Sequence, residues 1–121
     1  MNIPAFIPIL RVKDARNSER FYREKFGFTR DWEHQFAEGY PLLIAVSCGE
    51  RRIFLSEHKG TGTDHADLYA YVPDVDALHA ELAASETTIE QAPADQPWGV
   101  RDMQVRDPDG HRFTFATTLP R

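Results

Sequence analysis

The chain has 121 residues, of which 41% are hydrophobic and 27% charged, and its formal net charge is −5. That length supports one ordinary domain with a modest core, and the composition belongs to a folded globular protein, not a disordered one. The acidic balance excludes the concentrated basic surface that a nucleic-acid partner requires, and no apolar run approaches the roughly 20 residues needed to span a bilayer.

The first segment, MNIPAFIPIL, has neither a basic leader nor a small-residue cleavage site, so it reads as the start of a strand over Ala5 to Val12 instead of a secretory signal. Asp14 has the chemistry of an N-cap. Ala15, Ser18, Phe21, Tyr22, Lys25 and Phe26 then fall on one helical face, and Gly27 supplies the stop. Three extended segments follow, at about Phe28 to Phe36, Leu42 to Ser47 and Arg52 to Glu57, the last two joined by Cys48-Gly49-Glu50. Cys48 is the single cysteine, so no internal disulfide can form, which fits a reducing cytoplasm; it has no obvious activating neighbours.

The second half repeats the plan. Asp67 to Val72 alternates as a strand, and Asp74 caps a helix whose inner face is Val75, Leu78, His79, Leu82 and Ala83. A short strand near Thr87 to Gln91 comes next. Val100 to Arg106 and Arg112 to Thr117 are then joined by Asp107-Pro108-Asp109-Gly110, where proline presets φ and glycine accepts a positive one. Strand, helix and three strands, twice over, give an α+β fold of two βαβββ modules forming curved mixed sheets. Module 1 spans about 3–57, the small polar linker 58–65, and module 2 about 66–117. Pairing two four-stranded halves into a curved sheet leaves a concave face, where a ligand would bind.

The five histidines, His34, His58, His65, His79 and His111, are scattered, with no HxH or HxxxH pair. His79 sits at the edge of a helical core face, His111 follows the turn glycine and is expected to face solvent, and His34 alone falls near the expected cleft. No Ser/His/Asp or Cys/His set has a recognisable spacing, so no catalytic residue is assigned.

The stretch from Gln96 through Pro97, Trp98, Gly99, Val100, Arg101 and Asp102 to the Asp107–Gly110 turn resembles the glyoxalase/bleomycin-resistance/extradiol-dioxygenase (vicinal oxygen chelate) superfamily, and within it most resembles the bleomycin-resistance branch. Ile7-Pro8-Ile9-Leu10, Phe21-Tyr22, Phe26-Gly27-Phe28, Arg30-Asp31-Trp32 and the Val72–Leu78 segment extend the likeness over nearly the whole chain. The resemblance implies a homodimer that exchanges N-terminal strands, with Pro8 in the exchanged strand and two clefts at the subunit interface. It also implies stoichiometric, non-catalytic sequestration of a bleomycin-like glycopeptide antibiotic, conferring resistance, with no cofactor.

Residue by residue, the family's cleft aromatics fall at Trp32, Phe36, Tyr69 and Trp98, and its nearby polar positions at Asp31, Ser56, Gly99 and Arg101. Trp98 lies in a polar loop, where a large aromatic is more often a contact than core. Trp32 and Phe36 serve equally to close a dimer interface. Tyr69 is preferred to Tyr71, and Gly99 would let backbone approach a ligand closely. Glu33-His34-Gln35 is less acidic than a site for a strongly cationic drug would be.

The alternatives are a metal-dependent lyase or dioxygenase of the same superfamily, or a binder of another metabolite. The superfamily's metal positions fall at Ile7, at Thr114, at Asp67 (or His65 after a register slip) and among Ile53 to Ser56 with Glu57 at the strand end. A divalent site wants three or four converging oxygen or nitrogen donors, and at most two are present. The expected metal content is therefore none.

Overall fold

The computed structural model describes residues 1–120. The chain divides into two compact units, at residue 65. In the first, β1 (Ile9–Arg11), α1 (Ala15–Phe26), β2 (Thr29–Gln35), β3 (Leu42–Cys48) and β4 (Arg51–Ser56) build a sheet of order β1-β4-β3-β2. β1 runs parallel to β4 and the other pairs are antiparallel. Leu10, Leu55 and Ile44 stand in one register row and are buried with Val46, Ile53 and the helix residues Ala15 and Tyr22. Alternation thus gives one face to α1 and leaves the other without a helix.

Asp14 accepts from the Asn17 amide at 3.1 Å, and Gly27 ends α1 at φ 72°. Glu57 adds a contact that helical periodicity does not show: its carboxylate accepts from the Ala15 amide at 2.8 Å and from the Leu42 amide at 3.0 Å.

The first strand is shorter than Ala5 to Val12, because prolines at positions 4 and 8 have no N–H to give a ladder. Pro8 lies just outside β1, its carbonyl accepting from Phe54. The outer edge of β1 is occupied by the linker: Arg11 donates to the Thr63 carbonyl and Thr63 to that of Ile9. Gly62 makes this approach possible, since a Cβ there would lie 2.9 Å from the Ile9 oxygen and φ is +83°.

The second unit contains β5 (Asp67–Tyr71), α2 (Val75–Ala83), β6 (Thr88–Gln96), β7 (Val100–Arg106) and β8 (Arg112–Thr118), in sheet order β5-β8-β7-β6 with β5 parallel to β8. Val75, Leu82, Met103, Val105, Phe113 and Phe115 form its core, with the two phenylalanine rings stacked at 6.1 Å. Asp74 accepts from Asp76 and Ala77 amides, and Thr117 Oγ1 accepts from the Val75 amide at 2.8 Å.

Two expectations are corrected here. β6 runs on to Gln96, well past Gln91, by absorbing Pro93 within the second of two register shifts. His111 is completely buried: Asp107 draws its amide in at 2.9 Å, and its Nδ1 accepts from the Ala66 amide at 2.9 Å. Among the described residues no helix is long and apolar enough to cross a membrane.

Candidate ligand-binding faces

In the second unit, cross-strand partners share a face. Tyr69, Thr114, Gln104 and Gln91 form one row on the side without a helix, and Tyr71, Ala116, Asp102 and Ala94 form the next. Tyr69 and Tyr71 stand on this face together, their rings 5.4 Å apart and edge to face. The choice between them therefore disappears; spacing of two along a strand was the signal for Tyr71. Trp98 projects from the β6–β7 hairpin and is 66% exposed. That hairpin has three connecting residues: Gly99 donates to the Gln96 carbonyl at 3.1 Å, with Pro97 and Trp98 between and Gly99 at φ 91°. The positive φ requires glycine there, and a Cβ would meet open space, so the turn itself, not close packing, accounts for the residue.

The Trp98 indole N–H, a donor only, lies near enough to the Tyr69 phenol to lower its pKa. Partial desolvation pushes the Tyr69 phenol above its ordinary pKa, against the lowering effect of the nearby Trp98 indole. The structure thus brings together Tyr69 and Trp98 of the expected set and adds Tyr71 and Asp102, which sequence reasoning missed. Asp102 is 4% exposed, and its Oδ1 accepts from the Gln91 and Gln96 carboxamides at 3.0 Å each. Arg101 points the other way. Its guanidinium binds Asp76 at 3.0 Å and Asp95 at 3.1 Å on the α2 side, so it does not join Tyr69 and Trp98.

In the first unit, Ile9, Phe54, Ala45 and Trp32 form a row on the face turned away from α1, with His34, Leu43 and Ser56 in the next. Trp32 packs edge to face on Phe54 at 5.2 Å, and Phe36 on Tyr40 at 5.1 Å, while Trp32, Phe36 and Tyr40 all remain exposed. Tyr40 and Phe54 are further residues the sequence did not single out. Asp31 sits at the register shift of β2 and accepts from Ser47 Oγ at 2.8 Å. Ser56 is wholly buried, its hydroxyl accepting from the His58 amide at 3.1 Å and lying 3.2 Å from His58 Nδ1. That hydroxyl is committed to the turn leaving β4 and is not presented to a ligand.

The residues at the superfamily's metal positions do not fit a divalent ion. Both Glu57 oxygens hold backbone amides. Asp67 is paired with Arg112, whose guanidinium holds its carboxyl below the usual range. Thr114 shares the Tyr69 row, and Ile7 precedes β1. Among the described residues no three His, Cys, Asp or Glu side chains converge.

Residues 1–119 match the family model described as glyoxalase superfamily protein. No curated protein sequence matches the chain. Solved structures with the same fold include TioX from Micromonospora sp. ML1, at 23% identity and TM-score 0.77, covering 94% of this chain and 98% of that one. TnmS3, an antibiotic binding protein from Streptomyces sp. CB03234, is 22% identical with TM-score 0.74 and 93% coverage of both chains. A lactoylglutathione lyase from Agrobacterium tumefaciens is 21% identical with TM-score 0.73, covering 93% of this chain and 92% of that one. At these identities the likeness establishes the fold alone.

Proposed function

The chain belongs to the glyoxalase superfamily, and from that premise we propose that it is a non-catalytic binder of an organic small molecule with planar aromatic character, acting in the cytoplasm by sequestration. The observation that carries this reading is the open face of the second unit, where Tyr69, Tyr71 and the exposed Trp98 stand together over polar sheet residues. Aromatic faces hold flat conjugated ligands at about 0.5–1.5 kcal/mol per stacked pair beyond area burial. Trp32, Phe36 and Tyr40 offer a second exposed aromatic surface on the first unit. The antibiotic-binding relative TnmS3 supports an antibiotic as the ligand class, and the Gln96–Gly110 stretch supports a bleomycin-class glycopeptide as the first to try.

The test is calorimetric titration of metal-free protein with a bleomycin-class glycopeptide. One site per chain is expected, and Trp98→Ala weakens binding by about 2 kcal/mol, a factor of about thirty. Trp32 remains in that variant to report tertiary structure by fluorescence. Absence of binding at micromolar drug removes bleomycin as the ligand. Stoichiometric nickel, zinc, iron or manganese in purified protein would overturn the non-catalytic reading altogether.

The same reading includes a homodimer that exchanges its N-terminal segments. Met1, Ile3 and Phe6 are exposed apolar side chains ahead of β1, and Pro8 marks where the segment leaves the sheet.

A further inference from the structure

Asp102 is a buried carboxylate with no counter-charge paired to it among the described residues. Its partners are two carboxamides, both on Oδ1, with the Gln91 amide also reaching the Asp102 carbonyl at 3.2 Å. Among the described residues no lysine, arginine or histidine lies within ion-pair distance of it; the adjacent Arg101 is turned to the α2 side and engaged with Asp76 and Asp95. Among the described residues no hydrogen bond reaches Oδ2 and no buried side-chain oxygen lacks a partner, so Oδ2 is the part of this carboxylate left open to the surface. The register sets Asp102 in the row of Tyr71, beside that of Tyr69, and its charge contributes to raising the Tyr69 phenol pKa. Burying an uncompensated charge is costly, and natural sites retain one where a counter-charge arrives.

We propose that the open face of the second unit is a site for an organic cation, a protonated amine borne on or beside a flat ring system. The amine donates to Asp102 Oδ2 while the ring packs against Tyr69, Tyr71 and Trp98. Gln91 and Gln96 hold the carboxylate in place through Oδ1 and leave Oδ2 to the ligand. Aromatic walls add a cation–π attraction that a neutral analogue forgoes. A metal ion is the wrong occupant, because one carboxylate without further His, Cys, Asp or Glu donors does not make a coordination sphere. This deepens the small-molecule reading given above and rests on it.

The experiment compares 9-aminoacridine, a planar cation, with acridine, neutral at mildly alkaline pH, by calorimetric titration of the native protein and of Asp102→Asn. The variant keeps an Oδ1 for both glutamine donors, so the local bonds and the fold are preserved. Native protein should prefer the cation by about ten- to a hundredfold. Asp102→Asn should erase that preference, its affinity for the cation falling to that for acridine. Equal affinity of the native protein for the two probes overturns the cation site and leaves the binder reading standing, and this comparison needs no variant at all. A preference that survives in Asp102→Asn also overturns it. If neither probe binds, the inference falls, and the bleomycin titration decides the binder reading separately.

Discussion

Glu57 stands at the end of β4, where sequence reasoning looks for a metal ligand, and the structure assigns it to the backbone instead. One oxygen closes the first amide of α1 and the other takes the first amide of β3, so a single side chain joins a helix start to a strand start. Glu57→Ala strands both donors and is expected to cost about 1–3 kcal/mol, read as a lower urea midpoint with an unchanged m-value. A loss within a few tenths of that of an exposed control such as Glu50→Ala would show that water replaces the carboxylate without penalty. Residue-scale features of this kind were the least legible in the sequence. The Asp14 and Asp74 caps could be read because they act within three residues, whereas Glu57 and Thr117 each act across 42 positions. His111 was misjudged for the same reason: the amide it accepts from belongs to Ala66, 45 positions away. Trp98 was legible from its polar loop and Tyr69 from the resemblance and strand register, while Asp102 was not, since its meaning depends on which face of β7 it occupies and on what stands beside it.

Among the elements, β5, β8, β7 and β6 are laced on their open side by alternating charges. Asp67 binds Arg112 at 2.7 Å, and Arg106 holds Glu90 through both its Nε and, at 3.0 Å, its terminal nitrogen. Arg112 holds the Asp67 carboxyl, and Arg106 the Glu90 carboxyl, below the ordinary range, chiefly by hydrogen bonding. In β2, Glu33 is likewise lowered by Arg16 of α1 and by Arg30. A depressed folded-state pKa means that the contribution is fully present above the unfolded carboxylate value, near 4, and is lost as pH falls through the lower folded value. Stability should therefore decline on acidification below about pH 4, and the combined change Asp67→Asn with Glu90→Gln should flatten that decline by lowering stability at neutral pH, the two proteins converging in acid. These pairs are solvent-exposed, so high salt should weaken them as well. Urea midpoints across an acid series provide the measurement, and an identical acid limb in the variant would assign the loss to other groups. The elements themselves were largely legible, since both helices and six of the eight strands fall within a residue or two of their pattern. β1 and β6 were not, because proline shortens one and is accommodated by register shifts in the other.

At the scale of the whole molecule, the repeat is carried by equivalent parts sixty residues apart. Asp14 matches Asp74, Ala15 matches Val75, and the side chain that closes each helix start comes from Glu57 or Thr117. The segment ahead of β1 presents Ile3 and Phe6 to solvent. Burying an isoleucine and a phenylalanine contributes about 1.5–3 kcal/mol each, so two exchanged arms with four such side chains supply about 6–12 kcal/mol. A micromolar dimer needs about 8 kcal/mol, which places the arms in the range where they decide assembly, before the entropy cost of ordering them is subtracted. The own-chain linker already occupies the outer edge of β1 through Thr63. In the proposed dimer the arm would therefore associate through its side chains or through another edge, not by extending the sheet beside β1. Light scattering at micromolar protein is expected to give twice the mass of the chain, and the pair Ile3→Asp and Phe6→Asp to give a monomer. Circular dichroism should not change, because neither residue belongs to a strand or to the core of its own unit. A native monomer, or a dimer indifferent to both substitutions, would exclude exchange of this arm as the basis of assembly.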